Sequence, residues 1–177
     1  MKDMIQDSAY GALTGPTELT IRRRLPGPAE RIWRYLTDSE LRRKWLAMGD
    51  LVPEAGREFT LTWRNDELTD PPGEKPEGFG AEHSMACTVL EAVQNRVLAF
   101  TWGTGSEVRI TLEPKSDEVL LVLVHKRLMD RGSRLGVSAG WHAHLDILAA
   151  RLAGEAPAPF WDSWASLRAA YDARLPE

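Results

Sequence analysis

Gly140-Trp141-His142-Ala143-His144-Leu145, read together with Leu25-Pro26-Gly27-Pro28-Ala29-Glu30-Arg31-Ile32-Trp33, decides the fold. In the later block the apolar residues change period. Trp141, Leu145, Leu148 and Leu152 fall at i, i+4, i+7 and i+11, one face of a helix, and Gly154 is suited to end it. Beyond the linker Glu155-Ala156-Pro157-Ala158-Pro159, Phe160, Trp164, Leu167 and Tyr171 repeat that spacing in a terminal helix. In the earlier block, Pro26-Gly27-Pro28 closes a strand predicted from Thr17 to Leu25, and Pro28 suits the first position of a helix. Ala29, Ile32, Trp33 and Leu36 form that helix's apolar stripe. Thr37 with Glu40 matches a capping box, which predicts a second short helix carrying Leu41 and Trp45 on one face.

Between the blocks the period is that of strands. Leu51-Val52 with Pro53-Glu54-Ala55-Gly56 predicts a short strand and turn. Phe59, Leu61 and Trp63 then alternate with polar neighbours, so one face is buried. Residues 65–82 are rich in Asp, Glu, Pro and Gly and predict a long exposed loop, either a lid or a mobile insertion. Further strands are expected at 84–92, 96–102, 107–113 and 118–126, and turns this short make neighbouring strands antiparallel. The order strand, short helices, sheet, long helix places the chain in the α+β class. It predicts an N-terminal arm at 1–16, the main domain at 17–154, and a terminal helix within 155–177 packed on the same domain.

Size and charge narrow the functions. A chain of 177 residues, 43% of them hydrophobic, is one domain's worth of core. The single Cys87 excludes an intrachain disulfide framework and points to a reducing compartment, with a buried packing role for the thiol. No stretch is apolar enough for a bilayer span, so the expectation is a soluble, cytoplasmic protein with no membrane insertion. With 22 Lys and Arg against 26 Asp and Glu, net charge -4, nucleic acid is not an expected partner. Arg22-Arg23-Arg24 is a dense basic run, read as a solvated strand edge.

With these residues in view, the chain resembles the SRPBCC (START-like) superfamily. Within it the resemblance is to proteins similar to the C-terminal domain of the activator of the heat-shock chaperone ATPase. It is carried by the first block with its continuation Leu36-Thr37-Asp38-Ser39-Glu40 to Lys44-Trp45-Leu46, by Leu98-Ala99-Phe100-Thr101-Trp102-Gly103, and by the Gly140 block. The resemblance implies a helix-grip fold: a curved antiparallel sheet of about six to seven strands wrapped around a long C-terminal helix, over a hydrophobic cavity. It implies no reaction, because sites and not folds carry function.

The expected function is a soluble binding protein that holds a hydrophobic or amphipathic small molecule between sheet and helix; a stress-related role is left open. The cavity-lining candidates are Trp45, Phe59, Leu61, Trp63, Met85, Phe100, Trp102, Leu121, Leu123, His125, Trp141, Leu145 and Leu148. Aromatic walls suit such a ligand, and equally they fill cores. The alternative is a protein-interaction module resembling a chaperone ATPase activator domain, although the full activator has an additional N-terminal domain for which this chain has no room. A cyclase or hydrolase using His125 or a nearby carboxylate as acid/base is the third reading. A chaperone and a second copy of the chain are the open partners.

No metal and no cofactor are expected. His142 and His144 point about 200° apart on a helix, and His142 with Asp146 is equally a hydrogen bond. Gly103-Thr104-Gly105-Ser106 lacks the helix and lysine of a phosphate loop and reads as a hairpin turn. No positioned acid and base, and no strained nucleophile turn, stands out.

Overall fold

A computed structural model describes residues 9–177. Its sheet has seven strands in the order β1-β2-β7-β6-β5-β4-β3, every pair antiparallel. The strands are β1 Ala12–Gly15, β2 Glu18–Pro26, β3 Glu58–Trp63, β4 His83–Val93, β5 Val97–Trp102, β6 Ser106–Lys115 and β7 Glu118–Lys126. The helices are α1 Ala29–Thr37, α2 Ser39–Arg42, α3 Arg131–Ala153 and α4 Phe160–Arg174, with a 3-10 turn at Asn65–Glu67.

The sheet bends because β4 serves two partners. It pairs with β3 through Thr88 and with β5 from Val89, with a register shift between Val89 and Glu91. A bulge at that point increases local twist and turns the strand around the core. The concave face carries Leu19, Ile21, Leu98, Phe100, Val108, Ile110, Leu121 and Leu123, all buried, and α3 lies against it through Trp141, Leu145, Leu148 and Leu152.

Helix α3 is buried on a second side as well, where Leu135 and Ala139 meet Tyr171 and Leu175 around α4. Its ends are fixed by Asp130, whose carboxylate accepts from the Ser133 N–H at 2.8 Å, and by Gly154 at φ 72°. The start of α4 lacks a capping side chain of its own. Its Phe160 N–H donates instead to Thr69 Oγ1 at 2.9 Å, from the loop before β4.

Several sequence expectations are corrected. Of the expected arm 1–16, residues 1–8 lie outside the described residues, while Ala12–Gly15 form an edge strand on β2. Strand β2 is therefore interior, and Arg23 is no solvated edge residue. It faces α3, 8% exposed, and its guanidinium donates to Asp146 at 3.3 Å and to the Ala9 carbonyl. Leu51-Val52 forms no strand. The capping box is replaced by Asp38, which accepts from the N–H groups of Glu40 and Leu41, while Thr37 Oγ1 donates back to Trp33 O. The loop 65–82 is strapped to α4. Trp161 donates from Nε1 to Asp66 at 2.7 Å and from its backbone to Pro72 O, and Glu74 N–H donates to Asp162.

Candidate functional site

The thirteen sequence candidates separate into three groups. Trp45, Phe59, Leu61 and Phe100 line one small cavity, with Leu36, Leu46, Leu51, Leu98, Ile110 and the stem of Arg42 completing its wall. Trp63, Met85, Trp102, His125 and Trp141 collect toward the other end of β5 and β7. There Trp102 packs at 5.4 Å from Trp63, 5.1 Å from His125 and 5.2 Å from Trp141 between ring centres. Leu121, Leu123, Leu145 and Leu148 are wholly buried between these groups and fill the space between sheet and helix.

The cavity measures about 10 Å³, no more than one water molecule needs. Its walls have different origins. Phe59, Leu61, Leu98, Phe100 and Ile110 project from strands, whose ladders hold them in place. Trp45, Leu46 and Leu51 come from the segment between α2 and β3, which has neither helix nor strand beyond one bridge, Met48 to Thr62. Trp45 Nε1 donates to Tyr35 O at 2.8 Å, and His144 Nδ1 donates to Trp45 O at 2.8 Å, so α1 and α3 both grip this segment.

Arg42 was not legible as a site residue; its run Arg42-Arg43-Lys44 has the look of a solvated face. In the structure it is 2% exposed, and its guanidinium donates to Leu36 O, Ala47 O and Gly49 O. Burial lowers its pKa to about 10, with Asp38 the largest opposing influence. No carboxylate among the described residues pairs with it directly, so backbone carbonyls carry the whole task of solvating the cation.

His125 is a satisfied core residue. Its Nδ1 accepts from Trp141 Nε1 at 3.0 Å and its Nε2 meets Ser106 Oγ at 2.8 Å, while Ser106 Oγ also lies 2.7 Å from Lys126 O. These contacts require a neutral ring protonated on Nε2, donating to the serine, which donates onward to Lys126 O. Burial lowers its pKa to about 4. With both nitrogens engaged, the ring has no lone pair or proton left for a substrate. His142 lies 3.5 Å from Asp146 and bonds Tyr171 Oη at 2.9 Å. Among the described residues, no group of three or more His, Cys, Asp or Glu is placed to hold a metal ion. No helix among them is long and apolar enough to cross a membrane. Cys87 is buried, and its thiol is pushed up to about 11 by desolvation, which makes it unreactive.

A seven-stranded antiparallel sheet closed over one long C-terminal helix, preceded by two short helices after the second strand, defines the helix-grip class, the SRPBCC architecture. Within that class the chain belongs to the family described as activator of Hsp90 ATPase homolog 1-like protein, which residues 26–153 match. It is similar to a Bordetella parapertussis protein solved by NMR, at 40% identity over 96% of this chain and 92% of that one, with a TM-score of 0.79. The crystal structure of CalU16 from Micromonospora echinospora shares the fold at 22% identity, covering 88% of this chain and 86% of that one, TM-score 0.65. DynU16, from the dynemicin biosynthetic locus, shares it at 16% identity, covering 82% and 51%, TM-score 0.64. No curated protein matches the chain.

Proposed function

We propose that the protein binds a hydrophobic or amphipathic small molecule between the concave face of the sheet and α3, reached by displacing the segment from Trp45 to Leu51. The observation that carries this reading is the make-up of the small cavity. Three of its apolar walls, Trp45, Leu46 and Leu51, sit on a segment that is itself neither helix nor strand, tied down by the bonds to Trp45 and by the single Met48–Thr62 bridge. Lifting that segment joins the cavity to solvent while the strands stay in place. A ligand must supply enough apolar contact to offset the exposure of Trp45.

Native mass spectrometry of protein purified gently from its own host tests the reading, followed by denaturing extraction. A mass excess that disappears on denaturation identifies the ligand class and reports oligomeric state in the same spectrum. A bare mass, with no response of the Trp45 environment to any apolar probe, would sink it.

The second reading is a protein-interaction module acting on a chaperone ATPase, favoured by the family and by the filled interior. It predicts a changed Hsp90 ATPase rate on addition of the protein, and an unchanged rate removes it. The cyclase or hydrolase reading loses His125 as its acid-base residue, because that ring is occupied on both nitrogens.

A further inference from the structure

We propose that a cleft on the β3 side of the molecule is a binding site for small organic dianions, formed while the segment from Trp45 to Leu51 stays seated as the structure shows it. The cleft has a volume of about 350 Å³ and is walled by Arg43, Lys44, Arg64 and Arg151, with Glu67 as the one carboxylate. Four cations against one anion stand out on a chain whose net charge is -4. A concave site lined by one sign of charge concentrates its field and draws in the opposite charge. Pockets of about 300–1,000 Å³ are the size that small-molecule ligands occupy.

The cations come from three parts of the fold, which makes the cleft a built feature and not a run of neighbours in sequence. Arg43 and Lys44 follow α2, Arg64 follows β3 and Arg151 stands in the last turn of α3. Arg151 is the fixed member. Its Nε donates to Lys44 O at 3.3 Å and an NH2 group donates to Leu68 O at 2.8 Å, so carbonyls orient the guanidinium and no carboxylate among the described residues neutralises it. Arg43 and Arg64 are paired with Glu40 and Glu82, but both pairs are exposed to solvent. Such pairs are weak and exchange readily for a better anion. The floor is apolar, from Leu46, Ala47 and Met48. The chemistry recognised is therefore an oxyanion of two negative charges on a compact apolar or aromatic scaffold, since guanidinium forks match phosphate and carboxylate alike.

The test is titration of the folded full chain with phenyl phosphate and, separately, with phthalate, followed by two-dimensional NMR of backbone amides and arginine Nε–H groups. Saturable shifts confined to residues 43–48, 62–68 and Arg151 are expected from at least one of the two; which binds tighter assigns the head group as phosphate or dicarboxylate. The substitutions Lys44→Gln and Arg64→Gln together leave the thermal midpoint unchanged and weaken binding at least about tenfold, as loss of two charge-assisted contacts requires. Shifts that fail to saturate at millimolar ligand, or that spread over surface arginines in general, overturn the proposal. So does equal affinity in the double variant. A glutamate-rich peptide that binds where neither small dianion does would also overturn it, in favour of an acidic protein partner.

Discussion

The indole N–H of Trp141 donates to Nδ1 of His125 across 3.0 Å, so the long helix and the last strand meet through one polar contact inside an apolar core. Shape alone would let α3 slide along the sheet, whereas a directional bond fixes its position and rotation. Trp141→Phe keeps the aromatic bulk but leaves the histidine nitrogen buried without a donor. The expected loss is about 1–3 kcal/mol, read from urea unfolding. A variant as stable as the parent would show that the bond contributes nothing net.

Acid should unfold this protein through its histidines. Burial lowers His125, His142 and His144 each from 6.5 to about 4. His142 packs beside Arg23 and Arg174, whose charges also oppose protonation, while at His144 burial outweighs the donation from Nδ1 to Trp45 O, which favours it. Below 6.5 the unfolded chain takes up protons that the folded chain refuses. Stability is therefore complete above that value, falls as pH drops, and levels off near 4. Each histidine accounts for up to about 3 kcal/mol. Denaturant midpoints that stay flat between about pH 7 and about pH 4.5 would rule this out.

Glycines at two places should respond in opposite directions. At Gly49, φ is 141° and an added Cβ would lie 1.8 Å from the Thr60 carbonyl oxygen, which belongs to the backbone and cannot turn away. Gly49→Ala is expected to cost at least about 2 kcal/mol. At Gly136 and Gly140, inside α3, an added Cβ meets nothing within 4 Å. Alanine there should stabilise by about 0.5–1 kcal/mol each. Thermal midpoints of the three variants settle the signs.

Arg42 should tolerate no substitute. Arg42→Ala strands three carbonyls that its guanidinium now serves, at an expected cost of about 3 kcal/mol or more. Arg42→Lys retains the charge but not the fork, and recovers less than half of the loss. A lysine variant with the parent's urea midpoint would show that charge and not geometry matters.

What could be read from the sequence follows from what each element depends on. Strands β3 to β7 and helix α3 announce themselves because their periodicity is local: Phe59-Leu61-Trp63 and Trp141-Leu145-Leu148-Leu152 carry the signal within one element. Strand β1 does not, since Ala12–Gly15 is short and held mainly by backbone pairing with β2. Arg23 misleads for a related reason, because its partner Asp146 is 123 residues away. The same holds for the loop at 65–82, whose anchor points Asp66 and Thr69 meet residues on α4 more than 90 positions later. In the candidate site, strand parity identifies Phe59, Leu61 and Phe100 as neighbours. How far the space between sheet and helix is filled depends on the distance between those layers, and no sequence pattern encodes that distance.

The Gly11 N–H donates to the Tyr171 hydroxyl at 2.7 Å, from the approach to the first strand to the last helix, 160 residues apart. That bond gives the molecule a timetable during synthesis. The sheet can assemble as its hairpins leave the ribosome, but β1 and the buried side of α3 gain their cover only after α4 has followed them out. Arrest-peptide measurements along the chain should therefore place the main pulling-force peak after residue 171 and not at the end of α3. Until then, a nearly complete chain exposes the apolar flank that holding chaperones recognise.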